Sequence, residues 1–115
     1  VELGLLHGDW VPWNLARTEN GQLVAWDWEY AHLNAPTGLD HVHGTYQASR
    51  LTGGQTDRDA FGRAHAGVPR LQSSLHAVMV AARQCAAAST GVSDQRGRSE
   101  LKASIGALAA ALEEQ

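Results

Sequence analysis

The chain holds 115 residues, 43% of them apolar, with a formal net charge of −3. That length supports one domain with a modest core. An acidic balance without a cluster of lysine and arginine argues against a nucleic-acid partner. No apolar run approaches the roughly 18 residues of a membrane span, and the opening residues show no signal-peptide pattern. A lone cysteine, Cys85, rules out an internal disulfide, so a reducing, cytoplasmic setting is expected. Charge is uneven: residues 1–59 carry eight acidic and three basic side chains, residues 60–115 four and six. The acidic half suits metal ions or a cationic ligand, although ordinary surface composition is the plainer reading.

Taken in order, the first distinctive stretch is His7-Gly8-Asp9-Trp10-Val11-Pro12-Trp13-Asn14. Gly8 and Pro12 punctuate it as a loop. Leu15-Ala16-Arg17 and Leu23-Val24-Ala25-Trp26 then read as two short strands around the turn Glu19-Asn20-Gly21-Gln22, with Asn-Gly supplying positive φ angles. Alternation on the second strand puts Val24, Trp26 and Trp28 on one face and Leu23, Ala25 and Asp27 on the other. The hairpin should deliver Asn14 and Asp27 from its two ends to one edge, within reach of one metal.

Beyond Pro36 the pattern turns helical. Leu39, Val42, Tyr46 and Leu51 suit a helix that opens near Pro36-Thr37-Gly38 and stops before Gly53-Gly54. Thr56 caps a short helix over Asp57 to His65, with acidic side chains in its first turn. Pro69 starts the clearest helix, where Leu71, Leu75, Val78, Ala82 and Cys85 form an apolar stripe and Thr90-Gly91 ends it. Ser93 to Gly97 reads as a polar connection. The last helix runs from about Ser99 to Glu113, with Leu101, Ile105, Leu108 and Leu112 on one face and Gly106 costing about 1 kcal/mol relative to Ala.

An aspartate, an asparagine five positions on, and a second aspartate closing an apolar strand form a phosphoryl-transfer layout, here Asp9, Asn14 and Asp27. The residue types follow from the chemistry. A hydroxyl nucleophile must be oriented and relieved of its proton, a task for Asp9. Magnesium bridges phosphate oxygens and prefers hard oxygen ligands, which Asn14 and Asp27 supply.

The octapeptide and Asp27-Trp28-Glu29 resemble the aminoglycoside phosphotransferase and choline kinase family, a branch of the kinase-like fold. The matching residues are Leu5-Leu6-His7-Gly8-Asp9, Asn14 and Leu23-Val24-Ala25-Trp26-Asp27, within roughly residues 3–46. The resemblance implies an α+β, mainly helical carboxy-terminal lobe of a protein-kinase-like fold, with a small β-hairpin at the catalytic cleft. It divides residues 1–115, one partial domain, into a catalytic loop and metal-binding hairpin (3–30) and a helical body (36–115). It makes Asp9 the catalytic residue and Asn14 and Asp27 the metal ligands. Asp40 becomes the aspartate that anchors the loop from the following helix, and His7 a loop-holding histidine. Glu29 stands where protein kinases have the Gly of Asp-Phe-Gly, a departure tolerated in the small-molecule branch. The implied activity is transfer of the γ-phosphoryl group of ATP, with Mg2+, to a hydroxyl of a small acceptor such as an aminoglycoside, choline or homoserine, cationic in several of these cases.

That fold also needs an amino-terminal lobe with a phosphate-covering loop and a lysine. The only lysine is Lys102, and no Gly-rich loop precedes Asp9. The expectation is a lobe of a larger enzyme, inactive by itself. Plainer readings stand beside these. Asp9 also suits a loop cap, Asn14 a turn, Asp27 a solvated strand end, and Glu29 either a supporting carboxylate or a surface charge. Trp10, Trp13, Trp26 and Trp28 suit loop packing or stacking on a ligand. His41 and His43 do not share a helix face, which argues against a shared zinc, and His32, His65 and His76 read as incidental. Two other functions remain open: a non-catalytic kinase-like binding module, and a metal-dependent hydrolase built on residues 7–9, 27 and 40–43.

Overall fold

A computed structural model describes residues 1–52, 55–89, 91 and 95–113. Strand β1 (Leu3–Leu6) leads into the loop, a single 3-10 turn (Pro12–Asn14) closes it, and strands β2 (Leu15–Arg17) and β3 (Leu23–Ala25) form the hairpin. Strand β4 (His32–Pro36) returns to β1, and helices α1 (Leu39–Thr52), α2 (Asp57–His65), α3 (Arg70–Ser89) and α4 (Gln95–Glu113) make the body. The result is an α+β chain, mainly helical, with two small two-stranded antiparallel sheets.

The hairpin has the expected strands, paired Leu15 to Ala25 and Arg17 to Leu23. Its turn differs. Only Gly21 takes a positive φ, +83°, while the Gly21 amide donates to the Thr18 carbonyl and the Thr18 amide to that of Gln22. That is a turn followed by one left-handed residue, the three-residue loop in which glycine alone needs the special angle. Sequence patterning missed the β1–β4 pair, because the run His32-Leu33-Asn34-Ala35-Pro36 is short, ends in proline and leaves its first three residues exposed, so its alternation marks no buried face. Its register slips between Gly4 and Leu6, where β4 carries one extra residue and Asn34 sits at φ +60°. A bulge of this kind bends the strand and re-aims the side chains next to it.

Helices α1 to α3 occupy the expected spans, and the Thr56 hydroxyl accepts the Asp59 amide as the α2 cap. The expected breaks at Gly53-Gly54 and Thr90 fall outside the described residues, and α4 begins at Gln95, four residues before the expected Ser99. Two helix faces need correction. On α3 the buried residues are Ser73, His76, Ala77 and Val80, while Leu71 and Val78 are 44% and 45% exposed and Ala82 and Cys85 face outward. On α4, Glu100 and Ser104 are buried and Ala103 and Ala107 pack on the core, whereas Ile105 is exposed. Leu51 on α1 is also exposed.

The core explains the shift. Val42, Tyr46, Ala60, Phe61, Ala64 and Val80 form one cluster joining α1, α2 and α3, and the Tyr46 and Phe61 rings lie 4.3 Å apart. Around it runs a buried polar network. Arg50 pairs with Asp57 at 2.7 Å and with Glu100, which also accepts the Tyr46 hydroxyl at 2.7 Å and the Gln84 amide. Burial and the Glu100 carboxylate push the Tyr46 phenol well above its usual range. Polar side chains with partners are inside, so apolar spacing alone chose the wrong stripe. Among the described residues no helix is long and apolar enough to cross a membrane.

Candidate catalytic site

The loop between β1 and the 3-10 turn is held from below by α1. Asp40, in the first turn of α1, accepts the His7 amide on Oδ2 at 2.8 Å and the Gly8 amide on Oδ1 at 2.9 Å. Charge-assisted bonds to two successive amides fix the peptide planes leading to Asp9. His7, 1% exposed, works from the other side. Its Nδ1 accepts the Asp9 amide at 3.1 Å, so Nε2 carries the proton and donates to the Trp26 carbonyl at 2.8 Å. The loop is thereby tied to the end of the hairpin. Gly8, at φ +89°, has no room for a side chain: a Cβ there would stand 2.5 Å from the Tyr30 carbonyl oxygen. Gly44 of α1 gives Trp10 its seat, since a Cβ there would lie 3.1 Å from the Trp10 carbonyl.

Asp9 and Asn14 meet directly. The Asn14 Nδ2 donates to the Asp9 carbonyl at 3.0 Å and to Asp9 Oδ2 at 3.1 Å. Asn14 is buried at the end of the 3-10 turn, which Pro12 starts with its fixed φ. With the amide nitrogen spent on Asp9, the Asn14 side-chain oxygen is left as a hard donor. Asp27 lies just past the paired end of β3 rather than on a strand, is exposed, and holds φ +63°. The Leu15–Ala25 pairing and the Trp26 amide bond to the Asn14 carbonyl, 3.0 Å, put Asn14 and the Trp26–Asp27 segment at one end of the hairpin. A left-handed aspartate is uncommon, and such outliers gather at functional sites. Glu29 is exposed in the turn after it. Of the tryptophans, Trp28 and Trp10 pack against the His7 ring, at 4.4 and 5.7 Å, and Trp13 and Trp26 are about half exposed.

The site also contains residues that sequence spacing did not reveal. His43 of α1, 2% exposed, places Nε2 3.3 Å from Asp9 Oδ1. Arg83 of α3 donates to the Gly8 carbonyl, sets its Nη1 3.8 Å from Asp9 Oδ1, and lies over the Tyr30 ring at 4.1 Å. The His43 hydrogen bond holds the Asp9 carboxyl below its usual range. Burial opposes this, and the Arg83 charge and Asn14 amide reinforce it. His65 and His76 are not incidental: His76 Nε2 lies 3.1 Å from His43 Nδ1, and His76 Nδ1 lies 3.0 Å from His65 Nε2. His43 was within reach of the sequence, because it follows Asp40 by three on a helix and therefore shares its face. Arg83 and His76 come from a helix more than sixty residues after the loop, and no local spacing points to them. His41, by contrast, is exposed and takes no part.

Chemically, this is an ionised carboxylate, half-buried, with both oxygens engaged and lone pairs left over. Beside it stand an amide oxygen and an exposed carboxylate at one hairpin end. Among the described residues no group of three or more His, Cys, Asp or Glu side chains is arranged to hold a metal. Comparison of the chain with protein-family models, with curated proteins and with solved structures gives no match.

Proposed function

We propose that the chain carries the catalytic loop of an ATP- and Mg2+-dependent phosphotransferase that acts on a hydroxyl of a small molecule. The observation that carries this reading is the Asp9–Asn14 pair, with the His7-Gly8 backbone leading to Asp9 clamped from α1 by Asp40 and Asp9 kept ionised by its neighbours. The chemistry of the donor set fits magnesium. Mg2+ takes oxygen ligands and usually keeps waters and substrate phosphates in most of its positions, so one or two protein oxygens suffice. Asn14 Oδ1 and the Asp27 carboxylate would hold it. When bound, the ion neutralises charge building on the transferred phosphoryl group.

Asp9 does the rest of the local work. Its carboxylate would accept the hydrogen bond of the acceptor hydroxyl and orient the oxygen in line, and positioning of this kind supplies much of the rate in phosphoryl transfer. In this reading the nucleotide-covering loop and its lysine come from outside these 115 residues. Half-exposed Trp13, Trp26 and Trp28, adjacent in sequence to Asn14 and Asp27, suit a ring or a cationic acceptor.

The test is ATP- and magnesium-dependent phosphorylation of a panel of hydroxyl-bearing small molecules by the full-length gene product, with Asp9→Asn in parallel. Turnover of one acceptor, cut by roughly two orders of magnitude or more in the variant, is the expected result. Equal turnover by Asp9→Asn would remove Asp9 from the chemistry. A folded protein that binds no Mg-ATP would end the kinase-like reading.

A further inference from the structure

The half-buried Asp9 carboxylate is the first member of a row whose two middle members are buried. Next comes His43 of α1, then His76 of α3, then His65 of α2, joined by contacts of 3.3, 3.1 and 3.0 Å. The row crosses three helices and ends at a cavity of about 980 Å³, whose wall includes His65, Phe61, Val68, Arg70 and Lys102. His76 is fully buried, its ring 5.3 Å from that of Tyr46 and 5.7 Å from that of Phe61.

We propose that His43 is a positioning residue for Asp9, and that His76 and His65 lock His43 in the tautomer that donates to the carboxylate. This role rests on the phosphotransferase reading of the loop. The tautomers follow from donor and acceptor bookkeeping. A carboxylate only accepts, so His43 Nε2 carries the proton. Arg83, 3.8 Å away, already faces the same Asp9 oxygen that His43 reaches at 3.3 Å, and two cations there would share one carboxylate. In the proposed row His43 is neutral, and its Nδ1 accepts. The partner nitrogen, His76 Nε2, must then donate. His76, enclosed by His43 and Tyr46 of α1, Phe61 and His65 of α2 and Arg83 of its own helix, is neutral as well, so its Nδ1 accepts from His65 Nε2. Every ring carries its proton on Nε2, and every hydrogen bond points toward Asp9.

The consequence is geometric. Asp9 Oδ1 is held by His43 and Oδ2 by Asn14, so the carboxylate cannot rotate. Its free lone pairs keep one direction, which an acceptor hydroxyl can find without reorganisation. His43 touches Asp9 and no reacting atom, so its effect belongs in kcat rather than in KM.

Two measurements test this. Long-range nitrogen–proton spectra of 15N-histidine-labelled protein near neutral pH, assigned with single-site variants, report the tautomer of each ring. Three Nε2–H rings are expected, and an Nδ1–H ring or an imidazolium at His43 or His76 overturns the lock. Kinetics of the full-length enzyme then compare His43→Gln, whose amide reaches the position of Nε2, with His43→Leu, both checked for an intact thermal transition. His43→Leu should lose roughly ten- to a hundredfold in kcat with KM little changed, and His43→Gln should recover most of it. Equal losses in both, or an unchanged kcat in His43→Leu, would refute the positioning role. If the wild-type enzyme phosphorylates nothing, the phosphotransferase reading falls and the role of His43 falls with it, while the spectra judge the row independently.

Discussion

Gly8 and Asp40 show how one residue on each side of a loop sets its shape. Gly8 holds φ +89° with the Tyr30 carbonyl 2.5 Å from where a Cβ would be. Gly8→Ala therefore meets both a disfavoured angle and a backbone clash. It should destabilise the chain by about 2–3 kcal/mol, read from urea unfolding; a loss under about 0.5 kcal/mol would mean the loop moves freely. Asp40 has no such backbone demand, only two amides to satisfy. In Asp40→Asn one of those amides faces an NH2 group and loses its acceptor. A loss of about 1–3 kcal/mol is expected, together with a fall in turnover, because the same amides set the path to Asp9. If turnover survives while stability drops, Asp40 serves folding alone.

At the scale of elements, Glu100 binds four helices together. It accepts from Tyr46 and Gln84 and pairs with Arg50, which reaches Asp57 on α2. Removing one member of a buried charged network strands the others, so Glu100→Ala should cost about 3–5 kcal/mol. Hydrogen exchange in α4 should then quicken ahead of α1 and α2, since Glu100 is the tie between α4 and Arg50; uniform quickening would mean the helices unfold as one. This network also marks where the sequence was silent. Local signals were readable: Thr56 as a cap, Pro69 before α3, the strands flanking Gly21, and Asp9, Asn14 and Asp27 in one short span. The buried faces of α3 and α4 were not, because Ser73, His76, Glu100 and Ser104 look like surface residues until partners arrive from other helices. Strand β4 was hidden for a related reason, its pairing being set by a bulge at Asn34 rather than by alternation.

For the whole molecule, the buried histidines set the response to acid. Burial, then the neighbouring His43, His65 and Arg83, push the His76 imidazole down to about 2, and burial lowers His65 too. In the unfolded chain both protonate near the ordinary value of about 6.5. Below that pH the unfolded state binds protons that the folded state refuses, so stability falls as pH falls. Full stability is present above about pH 6.5, and each such histidine contributes a slope of up to about 1.4 kcal/mol per pH unit below it. Asp9 acts lower down: its folded carboxyl lies below the ordinary aspartate value of 3.8, so its contribution is present above that value and is lost only further into acid. The range from about pH 6 to 4.5 therefore belongs to the histidines. Unfolding midpoints should drop across it, and His76→Phe should flatten the slope even if it lowers the midpoint at neutral pH. A wild-type midpoint that stays level from about pH 7.5 to 5 would mean that His76 gains a proton without cost, and that the row from Asp9 to His65 is open to water.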